Sequence, residues 1–404
     1  MNKPGVIDRS ARACGLVREA RRDSTLDIAR GLIVALMALD HVRIFFSSAQ
    51  FEPTDLDQTS LGYFTARWVT HLCAPGFFFI AGLSAGLFER QAGRPAASRF
   101  LISRGALLVA LEILVFGLAW SFDPGWWWFG VIAGLGASMI AMSALIWLPK
   151  PALFAAGALF TLLHNSWWGS IAPSSTTLNA FLYSADIAQL PGFGPRIVLY
   201  PLLPWLSLMA MGYAATPFLR KTGSRSAKLL LLIGIFLVLA FAVVRSIGFG
   251  EPTKESFERT ANGTRAFMSF MNVEKYPPSL QFSLVTIGVV LIFLALVRLR
   301  SPKGQSGLWV QVLETYGRVP FFFYFVHLFL IHGSALATAA VLGWPTNYLF
   351  WSGYEPNLVP PNGYGLPLAG VMAVWIAVLA ILYPLCSWYG GVKRSSASKV
   401  LKLF

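Results

Sequence analysis

Charged residues are scarce in this 404-residue chain, and their scarcity argues against a soluble protein. Asp, Glu, Lys and Arg together make up 12% of the sequence, whereas soluble domains carry roughly 25%. Hydrophobic residues make up 56%, and the mean hydropathy is +0.61. The apolar residues form unbroken runs such as 229–244 and 284–297. Helical runs of about 20 residues match a hydrocarbon layer of roughly 30 Å, so the sequence predicts an integral membrane protein.

Cysteine and the common nucleotide-binding motifs are also lacking. Cys14, Cys73 and Cys386 form neither a paired framework nor a metal-ligand spacing, so we expect no metal and interpret all three as packing residues. The chain contains no Walker loop, no dinucleotide fingerprint and no Gly-x-Ser-x-Gly elbow. Its chemistry must therefore come from other side chains.

The apolar runs predict an all-α, polytopic membrane protein with about ten transmembrane helices. The predicted spans are 26–47, 64–88, 101–120, 126–148, 151–169, 196–216, 227–249, 279–299, 319–342 and 367–389. A further short helix over 305–318, with Trp309, Val312 and Leu313 on one side, is predicted to lie at the membrane interface.

Positive charge predicts the orientation of these spans. The net charge is +14, but the charges form short clusters between apolar runs, so we expect no nucleic-acid partner. Alternate connections hold 23 of the 32 Lys and Arg residues, which predicts that these connections and both termini are cytoplasmic. The predicted units are a basic, disordered tail (1–25), one transmembrane domain (26–389) and a second basic tail (390–404), in an inner membrane.

The first span carries an unusual stripe of ionisable residues. Asp27, Arg30 and His41 lie within about 60° of one another on a helix, with Asp40 to one side and Arg43 opposite. Arg30 and His41 are about 16 Å apart along the axis. Such groups are costly in a bilayer and usually functional. The alternative is an interfacial Asp27–Arg30 ion pair with His41 as a hydrogen-bonded packing residue.

Other polar residues are predicted to lie near this stripe. Four of the five histidines share a depth to within about 5 Å, and His327 is one turn deeper. Glu112 is mid-membrane, where it either partners a cation of the stripe or is neutral. The candidate acceptor-binding or cavity residues are therefore Arg67, His71, Glu112, His164, Asn165, His327 and His332.

Several stretches resemble a known bacterial membrane family. They are S-T-L-D-I-A-R-G (24–31), M-A-L-D-H-V-R (37–43), C-A-P-G-F-F-F-I-A-G (73–82), 200–205, 211–213 and 325–332. That family is grouped with the catalytic domain of heparan-α-glucosaminide N-acetyltransferase. An arginine followed after ten residues by a histidine also resembles the signature of the wider transmembrane acyltransferases that modify surface glycans.

The resemblance implies transfer of an acetyl or other acyl group from cytoplasmic acetyl-CoA or another acyl-CoA. The implied acceptor is a carbohydrate or glycolipid on the far side of the membrane. Membrane lipid is a further expected partner. Whether the protein forms a homodimer is left open. In the lysosomal branch the histidine held to be catalytic precedes the second conserved helix. This chain has no histidine between His41 and His71, so that role cannot be carried over.

The favoured interpretation is a membrane-embedded O- or N-acyltransferase. His41 acts as general base or transient acyl carrier, and Asp27 or Asp40 orients or charge-stabilises the site. The residues expected to hold the donor phosphates are Arg30, Arg99 and Arg104. The alternative for Arg99 and Arg104 is that they only anchor the start of their span on the cytoplasmic side. The alternative is a proton-coupled transporter or exporter that uses the stripe as a proton relay. A scaffold subunit would leave the buried charges unexplained.

Overall fold

A computed structural model of the chain describes residues 24–219, 224–250, 263–300, 307–350 and 359–396, and they are largely helical. The prediction of a disordered tail over 1–25 falls almost entirely outside these residues. We number the helices in chain order as α1 Ser24–Phe46, α2 Leu61–Ala92, α3 Arg94–Ser121, α4 Val131–Leu145, α5 Lys150–Ile171, α6 Thr176–Leu182, α7 Leu202–Ala214, α8 Thr216–Leu219, α9 Ser224–Ser246, α10 Gly263–Met271, α11 Leu280–Arg300, α12 Leu308–Arg318, α13 Pro320–Leu342 and α14 Leu368–Ser395.

Six of the described helices are long and apolar enough to cross a membrane, namely α2, α3, α9, α11, α13 and α14. The other four predicted spans coincide with α1, α4, α5 and α7. α4 has 15 residues and α7 has 13, so each is about 20 Å long and shorter than a hydrocarbon layer. α1 has 23 residues but carries four charged side chains.

Two predicted spans begin later than expected because other structure precedes them. The fourth helix begins at Val131 rather than at 126, and the sixth span begins as α7 at Leu202 rather than at 196. Before α7 the chain forms an antiparallel hairpin of β1 (Asp186–Leu190) and β2 (Gly194–Val198). The hairpin was not predicted, although Gly192 and Gly194 in its turn both take positive φ, which glycine adopts readily.

Helix α1 is the central helix of the bundle. Of its 23 residues, 16 are buried, and it contacts α2, α11, α12, α13 and α14. Asp27 in its first turn and Arg43 in its last turn both complement the helix dipole. The central position explains why ionisable residues on α1 face protein rather than lipid.

Glycines allow the predicted interfacial helix to pack against α1. Helix α12 covers 308–318, and a Cβ at Gly31 would lie 1.8 Å from the carbonyl oxygen of Leu313. Conversely, a Cβ at Gly317 would lie 1.6 Å from the carbonyl oxygen of Asp27. Small residues allow such close backbone approach. Trp309, near the start of α12, is 80% exposed.

The bundle has two chemically different ends. The end where α2 meets α3 and α12 meets α13 is here called the basic end, and it carries the ion pair of Lys150 with Glu89 at 2.7 Å. The opposite end, where α1 ends at Phe46, is called the loop end and carries the β-hairpin and the connection before α14. α1 therefore links the two ends through the interior.

Candidate functional site

At the basic end, α1 holds a fixed arginine. The Nη1 of Arg30 donates to Oδ1 of Asp27 at 2.7 Å, and its Nη2 donates to Oγ of Ser84 on α2. The Asp27 side chain is 2% exposed and that of Arg30 is 21% exposed. Asp27 therefore orients Arg30, as in the alternative of an Asp27–Arg30 ion pair, and does not contact His41.

Toward the loop end, α1 and α13 bring two histidines together. The Nδ1 of His41 lies 2.7 Å from the Nε2 of His327. The Nδ1 of His327 lies 2.6 Å from the carbonyl oxygen of Tyr324 and 3.0 Å from that of Phe323. A carbonyl oxygen can only accept, so the proton of neutral His327 is on Nδ1 and its Nε2 is an acceptor. His41 then donates from Nδ1, which leaves its Nε2 with a free lone pair.

The surroundings of this histidine pair are aromatic. The His41 ring meets Trp120 edge-on with ring centroids 4.7 Å apart, and Tyr324 edge-on at 6.3 Å. His41 is 8% exposed, whereas His327 is completely buried. His41 is therefore the member of the pair that reaches accessible space, and His327 supports it from behind.

The predicted partner of His41, Asp40, faces a different set of groups. Its Oδ1 accepts from Arg43 at 3.1 Å and its Oδ2 accepts from Arg67 at 2.8 Å. Arg67 also donates to Thr70 at 3.4 Å. Asp40 makes no hydrogen bond to the His41 ring among the described residues, so the structure gives the orienting role to His327.

Two loop tyrosines fix the end of α1 that carries His41. The hydroxyl of Tyr348 donates to the carbonyl oxygen of Ile44 at 3.0 Å, and that of Tyr364 donates to the carbonyl oxygen of Phe45 at 2.5 Å. These carbonyls belong to the last turn of the helix, which has no intrahelical donors. Burial raises the pKa of Tyr348 to about 12 and also raises the pKa of Tyr364, so both phenols remain donors.

A cavity of about 290 Å³ extends from the basic end toward the histidine pair. Four cations, Arg30, Arg104, Arg318 and Lys393, line it, and within the described part of the chain no carboxylate does. Its walls are otherwise mainly apolar and aromatic, with Phe77, Ile80, Phe88, Leu101, Leu108 and Leu135 among the lining residues. Tyr324 lines the cavity and its ring is 5.2 Å from that of His327. The cavity therefore joins a basic mouth to the neighbourhood of His41.

Only two of the three arginines that were predicted to bind the donor line this cavity. Arg30 and Arg104 both line it, and their guanidinium groups lie close enough to repel each other. Arg99 is exposed and does not line the cavity. Repulsion between neighbouring cations favours an anion between them, so the geometry supports anion binding by Arg30 and Arg104 but not by Arg99.

Glu112 caps a neighbouring helix instead of pairing with a cation. It begins a π-helical turn, Glu112–Phe116, inside α3, and its Oε2 accepts from the backbone N–H of Ala133 at 3.1 Å. That N–H belongs to the first turn of α4, where a carboxylate satisfies orphan donors and complements the helix dipole. Among the described residues Glu112 makes no salt bridge, so of the two predicted alternatives the pairing with a cation of the α1 stripe does not occur.

His332 lies on α13 above the histidine pair but is enclosed on all sides. Its Nδ1 is 2.9 Å from the carbonyl oxygen of Ala119, and its Nε2 is 2.9 Å from that of Leu349. Its ring stacks between Phe45 at 4.5 Å and Phe122 at 3.7 Å, and it is fully buried. His332 therefore ties α3, α13 and the loop-end connection together.

The remaining predicted residues do not reach His41. His164 on α5 has its Nδ1 3.0 Å from the hydroxyl of Tyr183, and Asn165 follows it on the same helix. His71 lies in α2, buried, with its ring edge against Phe282 at 5.5 Å. The shared depth of the histidines thus does not make one cluster, since only His327 contacts His41.

Sequence reasoning missed three residues that line the cavity. Arg318 and Lys393 had been interpreted only as cytoplasmic charge, and Tyr324 had no assigned role. A signal was available for Tyr324, because it lies three residues before His327 and therefore on the same helical face. Arg318 and Lys393 gave no comparable signal, because basic residues near span ends are common in membrane proteins.

The fold and this site define a multi-pass, largely α-helical membrane protein with a buried histidine pair and an interior cavity lined by four cations. The model of one family, described as heparan-alpha-glucosaminide N-acetyltransferase, catalytic, matches residues 22–249. The match covers more than half of the chain, so the chain belongs to this family, which indicates membrane acetyltransferase activity. It includes Arg30, His41 and Arg104, whereas His327 lies beyond it. A comparison with curated protein sequences found no match.

Proposed function

We propose that the protein transfers an acetyl or other acyl group from acyl-CoA at its basic end to a carbohydrate acceptor at its loop end. The observation that carries the proposal is the cavity that begins at four cations and reaches Tyr324 beside the His41–His327 pair. The family indicates acetyl transfer. The donor, the acceptor and the sides of the membrane are our inference.

The basic end supplies the groups that an acyl-CoA needs. Its nucleotide carries several phosphate charges, and arginine binds phosphate oxygens with two parallel hydrogen bonds. Arg30 is held ready by Asp27 and Ser84, and Arg104 lies beside it. The mainly apolar walls suit the donor's uncharged arm. Arg30 and His41 are about 16 Å apart along α1, a distance that such an extended arm spans.

His41, whose ring lies 6.3 Å from that of the cavity-lining Tyr324, carries the chemistry in this proposal. In one route its Nε2 takes the proton from an acceptor hydroxyl or amine, whose oxygen or nitrogen attacks the thioester carbonyl, and CoA leaves as the thiolate. In the other route Nε2 itself attacks that carbonyl and releases the thiolate. The acceptor then attacks the acyl-imidazole, and its proton goes to the solvent or the thiolate. Both routes require the free lone pair on Nε2.

His327 keeps His41 in the form that both routes require. Its Nε2 accepts the proton on His41 Nδ1, which leaves the reactive lone pair on the opposite nitrogen. The same hydrogen bond stabilises the positive charge that His41 carries after it has taken a proton or an acyl group. The carbonyl oxygens of Phe323 and Tyr324 fix His327 in turn, so the orientation derives from the α13 backbone.

The proposal includes a topology of ten spans with both termini in the cytoplasm. A helix coincides with each of the ten predicted spans, and 23 of the 32 Lys and Arg residues fall on the connections assigned to the cytoplasm. In this orientation the basic mouth of the cavity faces cytoplasmic acyl-CoA. The acceptor then reaches His41 from outside an inner membrane.

Family membership favours transfer over a proton-coupled transporter. Only the transferase moves label from acetyl-CoA into an acceptor, so the two functions are separated by incubating proteoliposomes with acetyl-labelled acetyl-CoA and envelope material. We expect labelled envelope product with wild-type protein and none with empty liposomes. Proton-coupled substrate movement without any labelled product would favour the transporter.

A further inference from the structure

A half-buried cationic cluster lies next to His41, and none of its members lines the donor cavity. Its members are Arg43, Arg67 and Lys275, which surround the carboxylate of Asp40. Arg67 is 2.8 Å and Arg43 is 3.1 Å from the carboxylate oxygens. Lys275 precedes α11 and lies close enough to act electrostatically on both Asp40 and His41. Asp40 is the residue before His41 in the chain, so the cluster adjoins the reactive imidazole.

The cluster has more positive than negative charge. Three cations meet one carboxylate, and Lys275 is only 7% exposed. Within the described ranges Lys275 makes no salt bridge, and its Nζ lies 4.9 Å from the ring centroid of Tyr276. Glu52 is exposed, and the carboxylate of Glu274 faces the backbone N–H of Tyr276 at 3.4 Å. Lys275 has a hydrogen-bond partner in Tyr276, but within the described ranges no carboxylate neutralises its buried charge, so the cluster is suited to receive another anion.

The cluster is accessible enough to receive such a group. The side chains of Asp40, Arg43 and Arg67 keep 17%, 13% and 15% of their surface exposed. The hydroxyls of Tyr200 and Tyr276 lie 3.3 Å from each other, near Arg67. They supply hydrogen-bonding groups beside the cations. Guanidinium, ammonium and phenol groups together match a carboxylate or a phosphate.

We propose that the acceptor is anionic, and that its carboxylate or phosphate binds Arg67 and Lys275 while its hydroxyl or amine faces His41. This inference rests on the proposed acyl transfer and names the chemical class of its acceptor. Asp40 holds Arg43 and Arg67 in place, so that the entering anion meets preoriented donors. A neutral sugar would leave the net charge of the cluster unbalanced and would bind less tightly.

The charge of the labelled product tests this directly. Proteoliposomes are incubated with acetyl-labelled acetyl-CoA and bacterial envelope material, and the labelled saccharides are released and separated by anion exchange. We expect the label to be retained on the column. Phosphatase treatment that abolishes retention identifies a phosphate monoester, and carbodiimide amidation that abolishes retention identifies a carboxylate. Label in the unretained, neutral fraction overturns the proposal but leaves acyl transfer standing, whereas no label in any fraction overturns both.

Variants of Lys275 provide the matched comparison. Lys275→Met should raise the envelope concentration needed for half-maximal transfer by about 10- to 100-fold, the range for losing a hydrogen bond to a charged group. Lys275→Arg should stay within a few-fold of wild type. Lys228→Met, which removes an exposed lysine on α9, should behave as wild type. CoA affinity, measured in parallel, should be unchanged in all three and reports folding. An unchanged half-maximal concentration for folded Lys275→Met would contradict the proposal.

Discussion

The Nδ1 of His41 and the Nε2 of His327 are 2.7 Å apart although 286 residues separate them in the chain. The contact joins the first helix to one near the end of the bundle, and it determines which nitrogen of His41 is free to react. Since the carbonyl oxygens behind His327 can only accept, the direction of both hydrogen bonds follows. In the proposed mechanism the reactivity of α1 therefore depends on a residue outside the segment that the family model matches.

Substituting His327 tests this dependence. His327→Phe removes the acceptor for His41 Nδ1–H, and we expect acetyl transfer to fall about 10- to 100-fold, as when an orienting partner of a functional histidine is lost. His327→Gln keeps an acceptor oxygen and should lose less. The affinity for CoA should be unchanged in both, because His327 does not line the cavity. Equal activity of wild type and folded His327→Phe would remove His327 from the mechanism.

The donor site is tested by substitutions of its cations. Arg30→Ala should weaken CoA binding more than Arg30→Lys, because lysine keeps the charge but loses the paired hydrogen bonds. Arg318→Ala should also weaken binding, by several-fold, although Arg318 belongs to a different helix. Arg99→Ala is the control and should bind CoA as wild type does. Thermal stabilisation by CoA measures each affinity, and an identical shift in wild type, Arg30→Ala and Arg318→Ala would assign these residues to packing.

Close packing of α12 against α1 gives a prediction about stability. A Cβ at Gly31 would lie 1.8 Å from the Leu313 carbonyl oxygen, so Gly31→Ala must push the two helices apart. Overpacking of this kind costs about 1–3 kcal/mol, and the melting temperature in detergent should fall. Gly333→Ala on α13 is the control, since no atom lies within 4 Å of its added Cβ, and it should melt as wild type or slightly higher. Equal melting of both variants would mean that α12 does not pack closely on α1.

Reporter fusions test the topology. Fusions after residues 94, 222 and 302 should report a cytoplasmic location, and those after 56, 182 and 262 an external one. The physical reason is the alternation of Lys and Arg between successive connections. The result matters most for α1, α4, α5 and α7, because only the other six helices are both long and apolar enough to cross a membrane by those criteria. A reversed signal at any two positions would contradict ten spans.

The sequence predicted the positions of the helices and the stripe on α1 because both depend on local periodicity. Hydrophobic runs locate a span, and a rotation of 100° per residue places Arg30 and His41 on one face. The pairing of His41 with His327 could not be predicted, because depth in the membrane does not determine which way a side chain points around its helix. Four histidines share a depth to within about 5 Å, yet the neighbour of His41 is His327, one turn deeper.

Asp27 and Glu112 show the same limit of prediction from the sequence. Asp27 was correctly placed on the face of Arg30, and the structure joins them at 2.7 Å. Glu112 was placed at mid-membrane, but its partner is the backbone of α4, which no side-chain pattern reveals. A list of charged residues does not show the backbone donors at a helix start, so neither of the two predicted alternatives for Glu112 named this partner.

Transfer of label by wild type and by His41→Ala is the most direct test of the account. Proteoliposomes are supplied with acetyl-labelled acetyl-CoA and envelope material, and incorporated label is counted over time. His41→Ala should remain folded, bind CoA as wild type does, and lose transfer by at least about 10²-fold, the lower range for loss of a general acid–base group. His164→Ala, whose histidine contacts Tyr183 away from the cavity, should lose far less. Near-wild-type incorporation by His41→Ala would contradict the assignment of His41 as the reacting residue.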